Sequence, residues 1–340
     1  MEEIRLGALG SGTIVHSILD NVARTDGIRL EAVCSRSAER GAALAAQYGA
    51  EKAYTDLDAL LSDEAVNTVY IATPNLLHYE QARRALLAGR HVICEKPFVT
   101  RLSQAKELAA LAAERRLFLV EAAPTMFLPN FRILRRELPR IGRVRLVLSN
   151  YSQYSSRYDA VLKGERPNIF NPEYAGGCLM DINFYNVLLN VALFGRPEEA
   201  VYYPNLYPGL ADTSGVMLMR YRGHVSQNAG AKDTWGVNFF QIEGEGGYLY
   251  VEDGSNGIKK VRTVTRTSDE VFNSQPDPDR WFYEIQELTR MMLADDRDAL
   301  ASHLNVTLDT VAVIEEARKG AGLLFPGDEG FRGACSPELP

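Results

Sequence analysis

The sequence predicts a two-part α/β chain: a parallel, doubly wound sheet first, then an α+β half with a large open, mostly antiparallel sheet. Three observations predict it. Short apolar runs alternate with helical periodicity up to about residue 122. The first of these runs passes straight into a Gly-x-Gly turn and a helix. Beyond residue 122 the apolar period drops to two, in runs joined by tight turns.

The first strand is Ile4-Arg5-Leu6-Gly7-Ala8-Leu9, followed at once by Gly10-Ser11-Gly12. A helix is expected over residues 13–24, opening with Thr13 and Ile14 and carrying Ile18, Leu19 and Val22 on the same face. Strand, Gly-x-Gly turn and helix make the first unit of a dinucleotide-binding fold. Gly10 permits the tight turn. Gly12 lets the backbone approach a pyrophosphate, and the helix N-terminus offers N–H groups and partial positive charge. The fingerprint's third glycine is absent, since Val15 stands there. A tight turn with no ligand is the bland alternative.

The second strand, Leu30-Glu31-Ala32-Val33-Cys34, runs into Ser35-Arg36-Ser37. Folds that bind NAD usually place an acid here, on the ribose hydroxyls. Arg36 instead suits a 2′-phosphate, whose oxygens its planar fork can pair. The expected cofactor is therefore NADP(H), with NAD(H) the alternative. Next, Thr68-Val69-Tyr70-Ile71-Ala72 leads into Thr73-Pro74-Asn75-Leu76-Leu77-His78, and Gly89 caps the following helix. The run His91-Val92-Ile93-Cys94 then delivers Glu95-Lys96-Pro97. In open α/β sheets ligands bind outside the carboxyl ends of strands. A Lys placed there can donate or accept a proton.

In the second half, Gly176-Gly177 precede an apolar helix from Cys178 to Phe194. Asp181 and Tyr185 lie four apart on it, and so share a face. Such a pair can hold a hydroxyl-bearing substrate and pass a proton; an Asp balancing the helix dipole beside a half-buried Tyr is the bland alternative.

Five co-linear pieces resemble the Gfo/Idh/MocA oxidoreductases, which include glucose–fructose oxidoreductase, inositol dehydrogenases and dimeric dihydrodiol dehydrogenases. They are Gly10-x-Gly12, Ala32-Val33-Cys34-Ser35-Arg36, Ala72-Thr73-Pro74-Asn75-x-x-His78, Glu95-Lys96-Pro97 and the stretch from Gly176 to Tyr185. The resemblance extends to about residue 320. It implies a nicotinamide cofactor held by Gly10, Ser11, Gly12, Thr13, Ile14, Ser35, Arg36, Ala72, Thr73, Pro74, Asn75, His78, Glu95 and Lys96. It implies hydride transfer between nicotinamide and a carbinol or carbonyl carbon of a sugar, polyol, inositol or cyclic diol. Lys96 and Tyr185 are then the acid/base pair, with Asp181 orienting a hydroxyl or tuning Lys96. Asn183 stands where the family usually has Gly. Two other readings are a redox-neutral NAD-dependent glycosidase and a non-catalytic cofactor-sensing regulator of the same fold.

The chain has 340 residues, which suggests two domains: 1–122, dinucleotide-binding, and 123–340, for substrate and oligomerisation. A net charge of −7 without any basic run argues against a nucleic-acid partner. No run near 20 apolar residues is read, so no membrane partner is expected. Nor does a charged-then-apolar signal segment stand out, which gives a cytoplasmic expectation. Cys34, Cys94, Cys178 and Cys335 show no metal spacing and read as reduced thiols. Alternation recurs in residues 143–148, 214–221, 224–228, 237–242 and 248–251, implying an antiparallel meander. Phe239, Phe240, Met217, Met219 and Val237 make both faces of that sheet partly apolar, so a homodimer or dimer of dimers through it is expected. Tyr151 to Tyr158 form a polar, aromatic loop, in which Arg157 and Tyr158 are weaker candidates for substrate contact, with residues 168–172 and Trp235.

Overall fold

The computed structural model describes residues 1–332; Cys335 and the last residues of the Gly- and Pro-containing tail lie outside them. The chain forms two compact units. One comprises Met1–Phe127 with Asp279–Leu308; the other comprises Leu128–Pro278 with the described residues from Asp309 onward. A split at residue 122 alone would not anticipate the return of residues 279–308 to the first unit.

In the first unit six parallel strands, β1 (Ile4–Leu9), β2 (Ile28–Cys34), β3 (Lys52–Tyr54), β4 (Thr68–Ile71), β5 (His91–Glu95) and β6 (Leu119–Ala122), line up as β3-β2-β1-β4-β5-β6. This is the dinucleotide-binding strand order, which reverses between β1 and β4. The crossovers are α1 (Thr13–Val22), α2 (Ala38–Tyr48), α3 (Leu57–Ser62), α4 (His78–Leu87) and α5 (Leu102–Glu114). Central strands are apolar on both faces because helices cover both: Val69, Tyr70, Ile71, Val92, Ile93 and Cys94 are all buried. One contiguous core joins Ile4, Leu6, Ile18, Leu19 and Val120 to Ile285, Leu288 and Met292. The last three belong to α9 (Arg280–Leu293), which packs on α1 and on the turn Pro124–Phe127. Asp279 caps α9 by accepting from Trp281 N at 3.0 Å, and it also accepts from buried Asn21 at 2.7 Å.

The second unit holds α6 (Pro129–Glu137), α7 (Tyr158–Leu162), α8 (Phe184–Phe194) and eight strands: β7 (Val144–Ser152), β8 (Glu199–Leu206), β9 (Asp212–Arg220), β10 (Val225–Ala231), β11 (Phe239–Gly244), β12 (Gly247–Glu252), β13 (Lys260–Thr265) and β14 (Asp269–Phe272). Their order is β14-β13-β12-β11-β7-β10-β9-β8. All pairs are antiparallel except β7 and β10, which run parallel at the centre. The expected plain meander is thus interrupted: the chain leaves β7, forms α7 and α8, and pairs β8, β9 and β10 before β11 returns to the other side of β7. α10 (Arg297–Gly320) is the last helix.

The sheet alternates as its period-two pattern requires. Tyr202, Met217, Met219, Phe240, Ile242 and Leu249 are buried on the face covered by α8, whereas Val201, Tyr203, Leu218, Val225 and Val271 are exposed on the other. Pro172–Phe194 has the length and apolarity of a membrane span, contrary to the reading that no such run exists. In the fold 78% of its apolar window is buried, so its composition is that of a core helix.

Candidate active site

In the first unit a cleft of about 660 Å³ opens at the carboxyl ends of β1, β2 and β4. The strand order reverses there, leaving a crevice that no crossover fills. Gly10, Ser11, Gly12, Ser35 and Arg36 line it, as do Ala72, Thr73 and Pro74. Gly10 has φ +127°, and a Cβ there would come within 2.4 Å of the Ala72 carbonyl oxygen. Only glycine lets β1 turn so close to β4. Gly12 differs: a Cβ would meet nothing within 4 Å, because the residue faces open cleft. Gly12 is also the N-cap of α1 and caps it with no side chain, so the helix's first N–H groups are available to an anion. Ser11 Oγ lies 3.0 Å from Ser35 Oγ, tying the glycine turn to the end of β2.

Two guanidinium groups edge the β2 side, Arg36 and Arg40. Sequence reasoning singled out Arg36 and missed Arg40, although the spacing Arg36-x-x-x-Arg40 spans one helical turn. Ser37 caps α2, accepting from Arg40 N at 3.3 Å. Also missed were Thr55 and Gln81; the latter accepts the Thr73 hydroxyl at 2.6 Å. Cys34 reaches the cleft wall, but burial pushes its thiol up to about 11, so it presents little thiolate. These residues fit a dinucleotide: an open glycine cradle for the pyrophosphate and paired arginines where an adenosine ribose would lie.

Thr13 and Ile14 form the first turn of α1, directly after Gly12, and Asn75 begins a short 3₁₀ turn directly after Pro74, so both adjoin residues that line the cleft. His78 is buried rather than lining it. Its Nε2 lies 2.8 Å from the Thr73 carbonyl oxygen and its Nδ1 lies 3.0 Å from that of Pro97. Burial holds its pKa below the usual histidine value. His78 braces the β4 and β5 turns against each other.

Lys96 is half-buried at the end of β5. Glu95 turns inward beneath it and accepts the Tyr70 hydroxyl at 2.6 Å and Lys96 N at 3.2 Å. Two further buried carboxyls stand in this core. Glu121 accepts Phe98 N at 2.8 Å and the Thr307 hydroxyl at 2.9 Å, and burial pushes it up to about 7. Glu284, on α9, is fully buried, and neither of its oxygens has a hydrogen-bond partner among the described residues.

In the second unit, Leu179–Asn183 forms a π-helical turn that runs into α8. Such turns are rare and often mark functional sites. The turn carries Asp181, whose side chain is 28% exposed, and precedes buried Tyr185. The Tyr185 ring packs against Tyr151 and Phe184, with centroids at 6.1 and 5.7 Å. Asp181 forms an ion pair with Lys232, a residue sequence reasoning did not single out. Gly230 permits this packing: a Cβ there would sit 2.6 Å from Asn183 Cβ. Asn183 is buried and structural. It donates to Asn228 O at 3.2 Å and accepts from Asn186 at 2.9 Å. Asn190 in turn donates to Asn228 Oδ1 at 2.7 Å, so three amides of this helix stitch it to β10. Among the weaker candidates, Tyr154 stacks on Trp235, which is 78% exposed, at 5.6 Å.

Comparison with known proteins agrees with this geometry. Residues 4–122 match the model of the GFO_IDH_MocA family, described as an oxidoreductase family with an NAD-binding Rossmann fold. The chain is 34% identical over 327 residues to scyllo-inositol 2-dehydrogenase (NADP(+)) IolU of Bacillus subtilis, covering 96% of this chain and 99% of that one. It is 25% identical to human trans-1,2-dihydrobenzene-1,2-diol dehydrogenase, over 96% and 99% of the two chains. Its fold superposes with a TM-score of 0.82 on KijD10, a 3-ketoreductase from Actinomadura kijaniata solved with NADP and TDP-benzene, at 24% identity over 94% and 98% of the chains. A glycine-cradled crevice at the strand reversal, together with likeness along nearly the whole chain, identifies the protein as a member of the Gfo/Idh/MocA family of NAD(P)-dependent dehydrogenases and reductases.

Proposed function

We propose that this enzyme is an NADP(H)-dependent dehydrogenase or reductase of an uncharged polyol, inositol, sugar or cyclic diol. One observation carries the cofactor preference. The end of β2 offers Ser35, Arg36, Ser37 and Arg40 to the cleft, with no acid in the position that would pair ribose hydroxyls. The inositol and dihydrodiol dehydrogenases among its relatives support the substrate class.

When bound, the nicotinamide cofactor supplies the hydride acceptor or donor. The chain supplies the rest. Gly10, Ser11, Gly12 and the first turn of α1 hold the pyrophosphate; Arg36 and Arg40 pair the 2′-phosphate. Lys96 holds the substrate oxygen with its ammonium group. Tyr185 gives or takes the hydroxyl proton at its phenolic oxygen. Asp181 orients a neighbouring hydroxyl. Positioned acid–base groups of this kind contribute about 10²–10⁴-fold. Residues 1–122 serve as the core of the cofactor domain and the sheet unit as the substrate domain, in the cytoplasm. The exposed apolar residues Val201, Tyr203, Leu218 and Val225 share the sheet's outer face, which supports a homodimer or dimer of dimers through it.

The test mixes the protein with NADP+ or NAD+ and a panel of scyllo-inositol, myo-inositol, xylose, glucose and trans-1,2-cyclohexanediol, and follows absorbance of the reduced nicotinamide. Reduction favouring NADP+ with a polyol is the expected result. Tighter binding of NADH than NADPH would overturn the cofactor assignment. Release of a chromogenic aglycone without net reduction would point to a glycosidase instead.

A further inference from the structure

Lys232 follows directly on β10, and its side chain is only 6% exposed. Long ammonium side chains are almost never buried unless paired. The pairing here is partial. An ammonium group has three N–H donors. One reaches the Asp181 carboxylate. The Phe170 ring, 5.8 Å from Nζ, covers another side. Among the described residues no other acceptor lies within hydrogen-bond distance of Nζ.

The other two carboxylates of this region take their hydrogen bonds from other donors, and Asp212 Oδ1 is buried with no hydrogen-bond partner among the described residues. Asp212 accepts Leu179 N at 2.7 Å and the Tyr202 hydroxyl at 2.5 Å. Asp233 accepts the Thr213 and Ser214 hydroxyls at 2.7 and 2.9 Å. The carboxylate that Lys232 hydrogen-bonds is Asp181, on the π-turn, whose side chain retains solvent access. A cation with an unused donor, locked to an anion with an exposed edge, is complementary to two adjacent hydroxyls. It opposes a carboxylate or phosphate in the same place, which would meet the Asp181 charge.

We propose that Lys232 and Asp181 act as a donor–acceptor pair that reads a vicinal diol. Lys232 Nζ donates to one substrate hydroxyl oxygen, and Asp181 accepts the proton of the next. This rests on the polyol reading above and adds a specificity-determining residue to it.

The test is a cycle between protein and substrate. The best polyol of the panel is compared with its monodeoxy analogue lacking the hydroxyl beside the reacting carbinol, in wild type, Lys232→Met and Lys232→Arg. A hydrogen bond to a charged group predicts that wild type loses about 10- to 100-fold in kcat/KM on deoxygenation. Lys232→Met should raise KM for the full polyol by a similar factor, spare kcat, and become nearly indifferent to deoxygenation. Lys232→Arg, which keeps the donors, should restore the sensitivity. Should Lys232→Met fail to fold, Lys232→Gln takes its place in the cycle, and NADPH titration reports that the cofactor unit is intact. Equal sensitivity to deoxygenation in wild type and Lys232→Met would overturn the proposal while leaving the polyol reading standing. A wild type that binds NADPH yet turns over no polyol would remove that reading and the proposal with it.

Discussion

Tyr70 donates its hydroxyl to Glu95 Oε1 at 2.6 Å, so the acid preceding Lys96 is anchored in the core by a residue from the neighbouring strand. β4 and β5 pair in parallel, with Tyr70 beside Ile93. The hydroxyl thus reaches past the strand end to the turn where Lys96 begins. Burial raises the Glu95 pKa, while the Tyr70 hydrogen bond and the nearby Lys96 charge oppose the rise. Tyr70→Phe should cost about 1–3 kcal/mol by leaving a buried carboxyl short of a donor. Tyr79→Phe, which removes an exposed contact with Glu107, should cost far less. Urea denaturation of the two variants checks the contrast.

Glu284 gives a pH prediction. Burial, then the charge of Glu95, raise its pKa well above the ordinary glutamate value. The folded state therefore holds a proton that the unfolded chain releases. Stability from this group is full below the unfolded pKa of about 4.3 and is lost, by roughly 1.4 kcal/mol per pH unit, as pH climbs toward the folded value. Glu284→Gln carries no such proton. Its melting temperature should rise above wild type at pH 8, and the gap should narrow at pH 5. A gap independent of pH would show that Glu284 is not held neutral.

Arg36 and Arg40 should act on one cofactor only. Replacing either with Ala is expected to weaken NADPH by about 10- to 100-fold, the value of a charge-assisted hydrogen bond. NADH should bind nearly as before. Fluorescence titration of both reduced cofactors measures this; equal losses for the two would instead place the arginines on the pyrophosphate or adenine.

Lys96→Met should lower turnover by about 10²–10⁴-fold. Cofactor affinity should stay nearly intact, because the role proposed for its ammonium group is on the substrate oxygen. Tyr185→Phe should behave alike in turnover. Steady-state kinetics beside NADPH titration separates the two effects, and unchanged turnover in Lys96→Met would refute its role.

The helix that begins at Phe184 shows how near the surface some of the missed information lay. Asn183, Asn186 and Asn190 recur at helical spacing within an otherwise apolar run. That stripe signals a polar seam inside a core, since buried amides must find partners. Their acceptors are the backbone and side chain of β10, Ser255 donates its hydroxyl to Asn186 Oδ1, and no spacing along the sequence names these partners.

The local devices were legible in the linear chain: the Gly10–Gly12 turn, the helix it opens, the strand ends bearing Arg36 and Lys96, and the apolar helix behind Asp181. Each depends on neighbours within a few residues, where backbone sterics and periodicity decide the outcome. Tertiary structure alone decided the return of Asp279–Leu308 to the first unit, the parallel pairing of β7 with β10, the inward turn of Glu95 and His78, and the pairing of Lys232 with Asp181. Those relationships join residues far apart in the chain. They are set by which surfaces bury together and which polar groups must then be satisfied, and a linear pattern carries neither.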